Sequence, residues 1–132
     1  KKLLLRVEAL MHSGENIPLV SPDRLLRDAL FEITSKKLGI TGVVDAQGKL
    51  VGVFTDGDLR RIMGEGLESL QQPIAEVMTT SPKRILRHNL AAKALQIMEK
   101  HSITSLFVFD DDAGEVPVGI VHLHDLLKSG VV

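Results

Sequence analysis

The chain contains an internal duplication, and this feature constrains its fold more than any other. The blocks at residues 7–11, 29–33, 43–45 and 52–59 reappear, in the same order, at residues 74–78, 94–98, 108–110 and 119–126. The offset between matching blocks is 67 residues for the first and last blocks and 65 for the two between them, so the spacing is nearly constant. A repeated block of this size forms one supersecondary unit, and that unit needs its partner to bury an apolar face.

Each copy has the same predicted order of elements, β-α-β-β-α, which makes the chain an α/β (α+β) protein of tandem repeats. The apolar residues of the first helix recur at spacings of three, four and seven, as in a helix with one buried stripe. The predicted helices lie at residues 25–37, 56–64, 90–101 and 124–128. The predicted strands lie at residues 17–20, 42–44, 50–54, 84–86, 106–109 and 118–121. Residues 45–48 and 110–114 join strands and carry turn chemistry.

The two copies define the domain organisation. Repeat 1 covers residues 1–68 and repeat 2 covers residues 69–132, and together they form one module. Two such copies can bury their apolar sheet faces against each other about a pseudo-twofold axis. This arrangement predicts two symmetry-related clefts between the repeats, with strand ends and helix N-termini pointing into them.

Charge and composition exclude several classes of function. The 16 basic and 17 acidic residues give a formal net charge of −1, which provides no footprint for nucleic acid and no polybasic membrane anchor. The absence of cysteine excludes disulfides, thiolate metal sites and a cysteine nucleophile. No apolar run approaches the ~18 residues that span a bilayer, and the N-terminal run is too short for a signal peptide. We expect a cytoplasmic protein without nucleic-acid or membrane partners.

Repeat 1 carries the pattern G-h-h-T-x-x-D, in which Thr55 precedes the closing helix and Asp58 follows one turn later. One interpretation is a capping box, in which each side chain satisfies a free N–H of the first turn. The other is a nucleotide site. A helix N-terminus and a threonine hydroxyl attract phosphate, and a carboxylate can accept two hydrogen bonds from a ribose diol. Both roles can coexist.

Repeat 2 has His122 at the threonine position and keeps the acidic residue as Asp125. An imidazole can donate to a phosphate and could carry a positive charge near neutral pH. The two clefts are therefore not expected to bind equally well. Matched residues before the second strand are expected to line the same clefts, and they are Gly39 and Ile40 in repeat 1 and Thr104 and Ser105 in repeat 2.

Other candidate chemistry is weak. The pair His122 and His124 has no third ligand at a spacing typical of a metal site, so we interpret both as ordinary polar histidines. The sequence contains no set of nucleophile, base and orienting residue. We predict no catalytic residue, no metal site and no required cofactor.

The duplicated pattern with its G-h-h-[TS]-x-x-D endings resembles the CBS domain family, named after cystathionine β-synthase, over essentially all 132 residues. The resemblance implies a disc-like module that binds adenosyl or other nucleotide ligands in clefts between its repeats and commonly dimerises. His122 departs from the [TS] position, so the phosphate contact of the second cleft is expected to differ.

Longer strings resemble the CBS region of bacterial D-arabinose 5-phosphate isomerases. They are MHSG at residues 11–14, FTDGDLRR at 54–61, HSITS at 101–105 and HLHDLL at 122–127. The resemblance implies a parent homo-oligomer with a catalytic sugar-isomerase (SIS) domain, which we expect to be absent here, and a role in making the lipopolysaccharide sugar Kdo. It also implies a homodimer of CBS pairs and no isomerase activity in this chain alone.

Three functional hypotheses follow. The first is a regulatory module that senses a nucleotide or nucleotide sugar, with CMP-Kdo, the activated end product of the Kdo pathway, as the leading ligand and AMP or ATP as the second. The second is a structural or oligomerisation module whose T-x-x-D elements only cap helices. The third is an enzyme or metal protein with an unrecognised site.

Overall fold

The computed structural model describes residues 4–130 and is a mixed α/β protein with two small β-sheets. Contacts within the chain divide it into two compact units. The central unit is Pro18–Pro82, and the terminal unit joins the segment that ends at Ile17 to the segment that begins at Lys83. Both units contain the order β-α-β-β-α, so the predicted α/β fold of tandem repeats is confirmed.

The central unit is built on a four-stranded sheet. Its strands are β1 (Leu19–Val20), β2 (Ile40–Val44), β3 (Leu50–Thr55) and β4 (Thr79–Thr80), and its helices are α1 (Leu26–Lys36) and α2 (Asp56–Met63). Two short 3-10 helices cover Glu68–Gln71 and Ile74–Glu76. The strand order is β1-β2-β3-β4, with β1 parallel to β2 and the other pairs antiparallel.

Helix α1 buries the apolar stripe that the sequence predicted. Leu26, Ala29 and Ile33 are buried, whereas Leu30 is half-buried at the margin of the same core. The helix ends where Lys37 adopts a left-handed conformation with φ of 61°. The core that these residues enter also contains Val20, Val43, Phe54, Ile62 and Ile74. Burial of this stripe, rather than helix propensity alone, holds a helix of 11 residues in place.

The terminal unit repeats this plan with a three-stranded sheet. Its strands are β5 (Arg84–Leu86), β6 (Ser105–Phe109) and β7 (Gly119–His122), and its helices are α3 (Ala91–His101) and α4 (Leu123–Ser129). Two 3-10 helices cover Val7–Ala9 and Gly14–Asn16. β5 is parallel to β6, and β6 is antiparallel to β7. All five residues of β6 are buried, which explains why this strand is continuously apolar after its first residue.

The opening turn of each repeat packs in the unit that the other repeat forms. In the central unit, Thr79 pairs with Val53 of β3. In the terminal unit, His12 forms the matching bridge to Ile120 of β7. The opening turn of repeat 1 (1–68) therefore belongs to the terminal unit, and the opening turn of repeat 2 (69–132) belongs to the central unit. Those repeat boundaries stay a prediction about the duplication in the sequence.

Across the part of the chain that the structure describes, no helix has the length and apolar character needed to cross a membrane.

Candidate functional site

The end of β3 and the start of α2 form the first candidate site. Thr55 is the N-cap of α2, and its hydroxyl oxygen accepts a hydrogen bond from the backbone N–H of Asp58 at 3.1 Å. The Asp58 carboxylate accepts in return from the backbone N–H of Thr55 at 3.0 Å. This is the capping box that the sequence predicted. It fixes both side chains at the N-terminus of α2. The acceptors are the Thr55 hydroxyl oxygen and one carboxylate oxygen of Asp58.

The second oxygen of Asp58 has a charged neighbour on the same helix. The Arg61 guanidinium lies 3.1 Å from Asp58 Oδ1, three residues further along α2. The Asp58 side chain is 12% exposed, whereas that of Arg61 is 62% exposed. Solvent screens such a pair, and a long exposed side chain can change its rotamer at little cost. The ion pair with Arg61 is therefore a weak constraint on the Asp58 carboxylate.

Gly39 and Ile40 lie beside Thr55, as the sequence predicted. Ile40 is the cross-strand partner of Thr55, and the backbone oxygen of Gly39 accepts from the N–H of Asp56 at 2.9 Å. Gly39 has φ of 69°, and a Cβ at this position would stand 2.9 Å from the Asp56 carboxylate. The left-handed backbone conformation therefore favours glycine here, whereas the Asp56 side chain could move away from a Cβ. The four predicted residues of repeat 1 form one cluster.

The terminal unit places the matching residues at the end of β7 and the start of α4. His122 is the N-cap of α4, and its backbone N–H donates to the Asp125 carboxylate at 2.8 Å. The His122 Nδ1 atom accepts from the backbone N–H of His124 at 3.0 Å. The imidazole thus replaces the threonine hydroxyl as the acceptor that caps the helix.

The surroundings of His122 disfavour its charged form, whereas the sequence left open a positive charge near neutral pH. Burial lowers the pKa of His122, and His124 and His12 lower it further, while Asp125 opposes the shift. An Nδ1 atom that accepts a hydrogen bond is also unprotonated, so the neutral ring carries its proton on Nε2. The ring can still offer that Nε2–H as a neutral donor.

Thr104 and Ser105 lie next to this cap. Ser105 is the cross-strand partner of His122, and the backbone oxygen of Thr104 accepts from the N–H of Leu123 at 2.8 Å. Thr104 is exposed, whereas Ser105 is 9% exposed. Among the described residues, the Ser105 hydroxyl is a buried polar side-chain group with no hydrogen-bond partner. An unsatisfied buried hydroxyl costs stability unless something binds it.

Sequence reasoning missed one residue of the second cluster, His12. Its Nε2 atom lies 3.1 Å from both carboxylate oxygens of Asp125, across 113 positions of sequence. The only sequence signal for this contact is the alignment of the opening turns, which places residue 12 opposite residue 79.

The two clusters are matched acceptor sites. An ionised carboxylate offers about four lone-pair positions. Each of Asp58 and Asp125 accepts from one backbone N–H and has one basic side chain within 3.1 Å. Within residues 4–130, no group of three or more histidine or acidic side chains could hold a metal ion.

Comparison with known proteins agrees with this architecture. The CBS domain model matches the chain twice, at residues 7–65 and 74–131. The arabinose 5-phosphate isomerase KdsD of Yersinia pestis is 48% identical over all 132 residues, and that of Escherichia coli K12 is 46% identical. The chain spans 39% of the length of each of these relatives. It therefore matches their CBS region.

Solved structures show the same fold. The CBS-domain-containing protein ATU1752 from Agrobacterium tumefaciens is 25% identical, with a TM-score of 0.85 over 97% of this chain and 95% of that one. The CBS pair of MJ0100, in complex with 5′-methylthioadenosine and S-adenosyl-L-methionine, is 21% identical, with a TM-score of 0.83 over 95% and 94%. CBSX2 in complex with AMP is 22% identical, with a TM-score of 0.79 over 96% of both chains.

The duplication, the two β-α-β-β-α units and the matched capping clusters at the strand ends have one common explanation. The chain belongs to the CBS domain family, as a tandem pair of CBS repeats.

Proposed function

We propose that this chain is a regulatory module that binds a nucleotide or nucleotide sugar at its two capping clusters. Thr55, Asp58, Gly39 and Ile40 form the site of the central unit, and His122, Asp125, Thr104 and Ser105 form the site of the terminal unit. The acidic residue of each cluster accepts the ribose diol. The residue at the N-cap donates to a phosphate, through a hydroxyl in one site and through the His122 Nε2–H in the other.

The observation that carries this proposal is the matched placement of Asp58 and Asp125. Each carboxylate is fixed by a backbone N–H at the start of a helix and retains lone pairs for a further donor. A pre-positioned acceptor loses little entropy when a ligand binds. Ser105, the cross-strand partner of His122, places a buried hydroxyl without a hydrogen-bond partner next to the terminal-unit site.

Related proteins support a ligand of the nucleotide class. CBSX2 is in complex with AMP, and the CBS pair of MJ0100 is in complex with 5′-methylthioadenosine and S-adenosyl-L-methionine. These ligands share a nucleoside whose diol suits a carboxylate acceptor.

The relatives also suggest which nucleotide. Full-length proteins with this CBS region are arabinose 5-phosphate isomerases, and an enzyme early in Kdo synthesis is a natural target for feedback. We therefore propose CMP-Kdo as the ligand, with AMP or ATP as the second candidate. Binding would stabilise one arrangement of the module, within the parent homo-oligomer in the cytoplasm, and so change the activity of the attached SIS domain. The effect cannot exceed the difference in affinity of the ligand for the two arrangements.

A structural module is the competing function, and the capping boxes favour it. The hydrogen bonds between Thr55 and Asp58 already explain why these two residue types occur at this spacing. Under this alternative, both clusters only stabilise helix ends, and the module serves oligomerisation.

Calorimetric titration of the chain with CMP-Kdo, CMP, AMP and ATP distinguishes the two functions. The informative variants are Asp58→Asn and Asp125→Asn, because an asparagine oxygen still accepts the capping N–H while the charge is lost. The control is Asp112→Asn, which removes the same charge from an exposed turn. We expect each site variant to weaken binding at its own cluster by about tenfold or more, a loss of roughly one charge-assisted hydrogen bond.

The thermal midpoint of each variant completes the test. Loss of binding by a variant whose midpoint is unchanged supports a ligand site. Well-folded wild-type protein that gives no heat with any of the four nucleotides would exclude the sensing function and favour the structural module.

A further inference from the structure

The two acidic residues of the candidate sites have different partners. Asp58 is paired with Arg61, an exposed side chain on its own helix. Asp125 is paired with His12, which comes from the N-terminal segment rather than from α4. The His12 side chain is 38% exposed and that of Asp125 is 16% exposed. His12 is therefore less exposed to solvent than Arg61, the basic partner of Asp58.

The backbone of His12 is fixed independently of its side chain. Its N–H donates to the backbone oxygen of Ile120 at 2.8 Å, and its own oxygen accepts from the N–H of Ile120 at 2.9 Å. A Cβ on the neighbouring Gly119 would stand 2.9 Å from that same His12 oxygen. The imidazole therefore extends from a rigid point on the sheet, and it reaches Asp125 without needing the ligand to order it.

The central unit has no counterpart to this contact among its described residues. The matched position is Thr79, which pairs with Val53 as His12 pairs with Ile120. Thr79 is exposed, and the partners of Asp58 are Thr55 and Arg61 instead. The two sites consequently differ in how their acceptor is held, in addition to the difference between Thr55 and His122.

We infer that His12 is a positioning residue of the terminal-unit site: it holds the Asp125 carboxylate in the orientation that accepts the ligand diol. This inference rests on the proposed function. An ionised carboxylate only accepts, so His12 donates its Nε2–H to Asp125 in this contact. The His122 N–H and the His12 Nε2–H together hold the carboxylate, and the remaining lone pairs accept from the ligand.

The physical consequence is linkage between the ligand and His12. A diol that donates to Asp125 polarises the same carboxylate to which His12 donates. The environment of the His12 ring must therefore change when the site is filled, and the affinity must depend on the donor at position 12. Ligand and donor influence each other by the same free energy, because binding linkage is reciprocal.

The test compares His12→Leu with His12→Gln in the Asp58→Asn background, in which binding at the central-unit site is weakened. Titration with CMP-Kdo and with AMP then reports mainly on the terminal-unit site. We expect His12→Leu to weaken binding by about tenfold, as for a hydrogen bond to a charged group. His12→Gln keeps a donor near the Nε2 position and should stay within about threefold of wild type. Thr79→Ala, the matched control, should leave the affinity unchanged.

A double-mutant cycle separates positioning from general destabilisation. If His12 acts through Asp125, His12→Leu should have no further effect in a protein that already carries Asp125→Asn. The histidine ring signals of wild-type protein, followed by nuclear magnetic resonance, should shift at His12 on addition of CMP-Kdo and should not shift in Asp125→Asn. This measurement does not require the leucine variant to fold.

The outcomes distinguish this inference from the proposed function. Absence of binding by the parent Asp58→Asn protein and by wild type overturns both. Three other outcomes overturn the role of His12 and leave the sensing function intact. They are binding that is unchanged in His12→Leu, additive losses of affinity in the double variant, and a His12 ring signal that does not shift when the ligand is added.

Discussion

The Nδ1 atom of His122 accepts a hydrogen bond from the backbone N–H of His124 at 3.0 Å, so a neutral imidazole caps α4. Protonation of Nδ1 would remove this acceptor and place a positive charge beside the free N–H groups of the first turn, where it is unfavourable. The helix cap in the terminal unit therefore depends on the protonation state of one ring, unlike the hydroxyl cap of Thr55.

This cap predicts a pH dependence of stability. Because the folded-state pKa of His122 is lowered from about 6.5, the unfolded chain binds a proton that the folded chain does not. The free energy of unfolding should therefore fall as the pH decreases from about 6.5 towards the lowered pKa, and should show no His122 contribution above that range. Urea denaturation of wild type and His122→Asn at several pH values measures it, since asparagine caps without titrating. Identical pH profiles for the two proteins would contradict the prediction.

The second prediction concerns the glycines over which the opening turns pass. A Cβ on Gly52 would stand 2.9 Å from the backbone oxygen of Thr79, and it would also collide with the Met78 side chain. Backbone cannot yield as a flexible side chain can, so Gly52→Ala should lower the free energy of unfolding by about 1–3 kcal/mol. Gly119→Ala should behave in the same way.

Gly57→Ala is the matched control for these substitutions. The nearest atom to a Cβ at this helical position is the Thr55 hydroxyl oxygen at 3.6 Å, an ordinary contact. We expect the stability to be unchanged or raised by up to ~1 kcal/mol, because alanine favours the helix. Equal denaturation midpoints for Gly52→Ala and Gly57→Ala would show that the contact of a Cβ at position 52 with Thr79 and Met78 does not lower the stability.

The local structure was largely predictable from the sequence, because its signals are local. The helix α1 lies at Leu26–Lys36 where the apolar spacing predicted residues 25–37, and α3 lies at Ala91–His101 where it predicted 90–101. The turn after β2 is also as expected, since the Asp45 carboxylate accepts from the N–H groups of Gln47 and Lys49. Periodicity and turn chemistry determine such features within a few residues.

The contacts that complete the second site were not predictable, because they depend on distant parts of the chain. His12 reaches Asp125 only because its segment bridges to Ile120 in the terminal unit. The duplication showed that the opening turns exist but not which copy each one joins. The lowered pKa of His122 was missed for the same reason, since it depends on burial and on neighbouring histidines that a pattern search does not measure.

The third prediction separates the structural role of Thr55 from its proposed ligand contact. Thr55→Ala removes the acceptor for the Asp58 N–H and should lower the free energy of unfolding by about 1 kcal/mol. Thr55→Ser keeps an equivalent oxygen and should stay within a few tenths of a kcal/mol of wild type. Thermal denaturation of both variants measures the difference. If alanine and serine are equally stable, the hydroxyl does not cap α2.

The last prediction concerns Arg84, which closes the loop between β6 and β7. Its Nη2 atom donates to the backbone oxygens of Asp111 and Gly114 at 2.9 and 2.7 Å, and its guanidinium carbon lies 3.7 Å from the centre of the Phe109 ring. Arg84→Ala removes both hydrogen bonds and the cation–π contact, and it should lower the free energy of unfolding by about 1–3 kcal/mol.

Lysine at the same position tests the geometry of this contact. Arg84→Lys keeps a positive charge and a nitrogen that can donate more than once, but it loses the planar guanidinium that lies over Phe109, so its stability should lie between those of wild type and the alanine variant. Urea denaturation gives the order of the three proteins, and amide hydrogen exchange at Gly114 reports whether the loop opens. A lysine variant as stable as wild type would mean that charge alone holds the loop. An alanine variant as stable as wild type would mean that the turn between Asp111 and Gly114, whose N–H already donates to the Asp111 carboxylate, needs no support from Arg84.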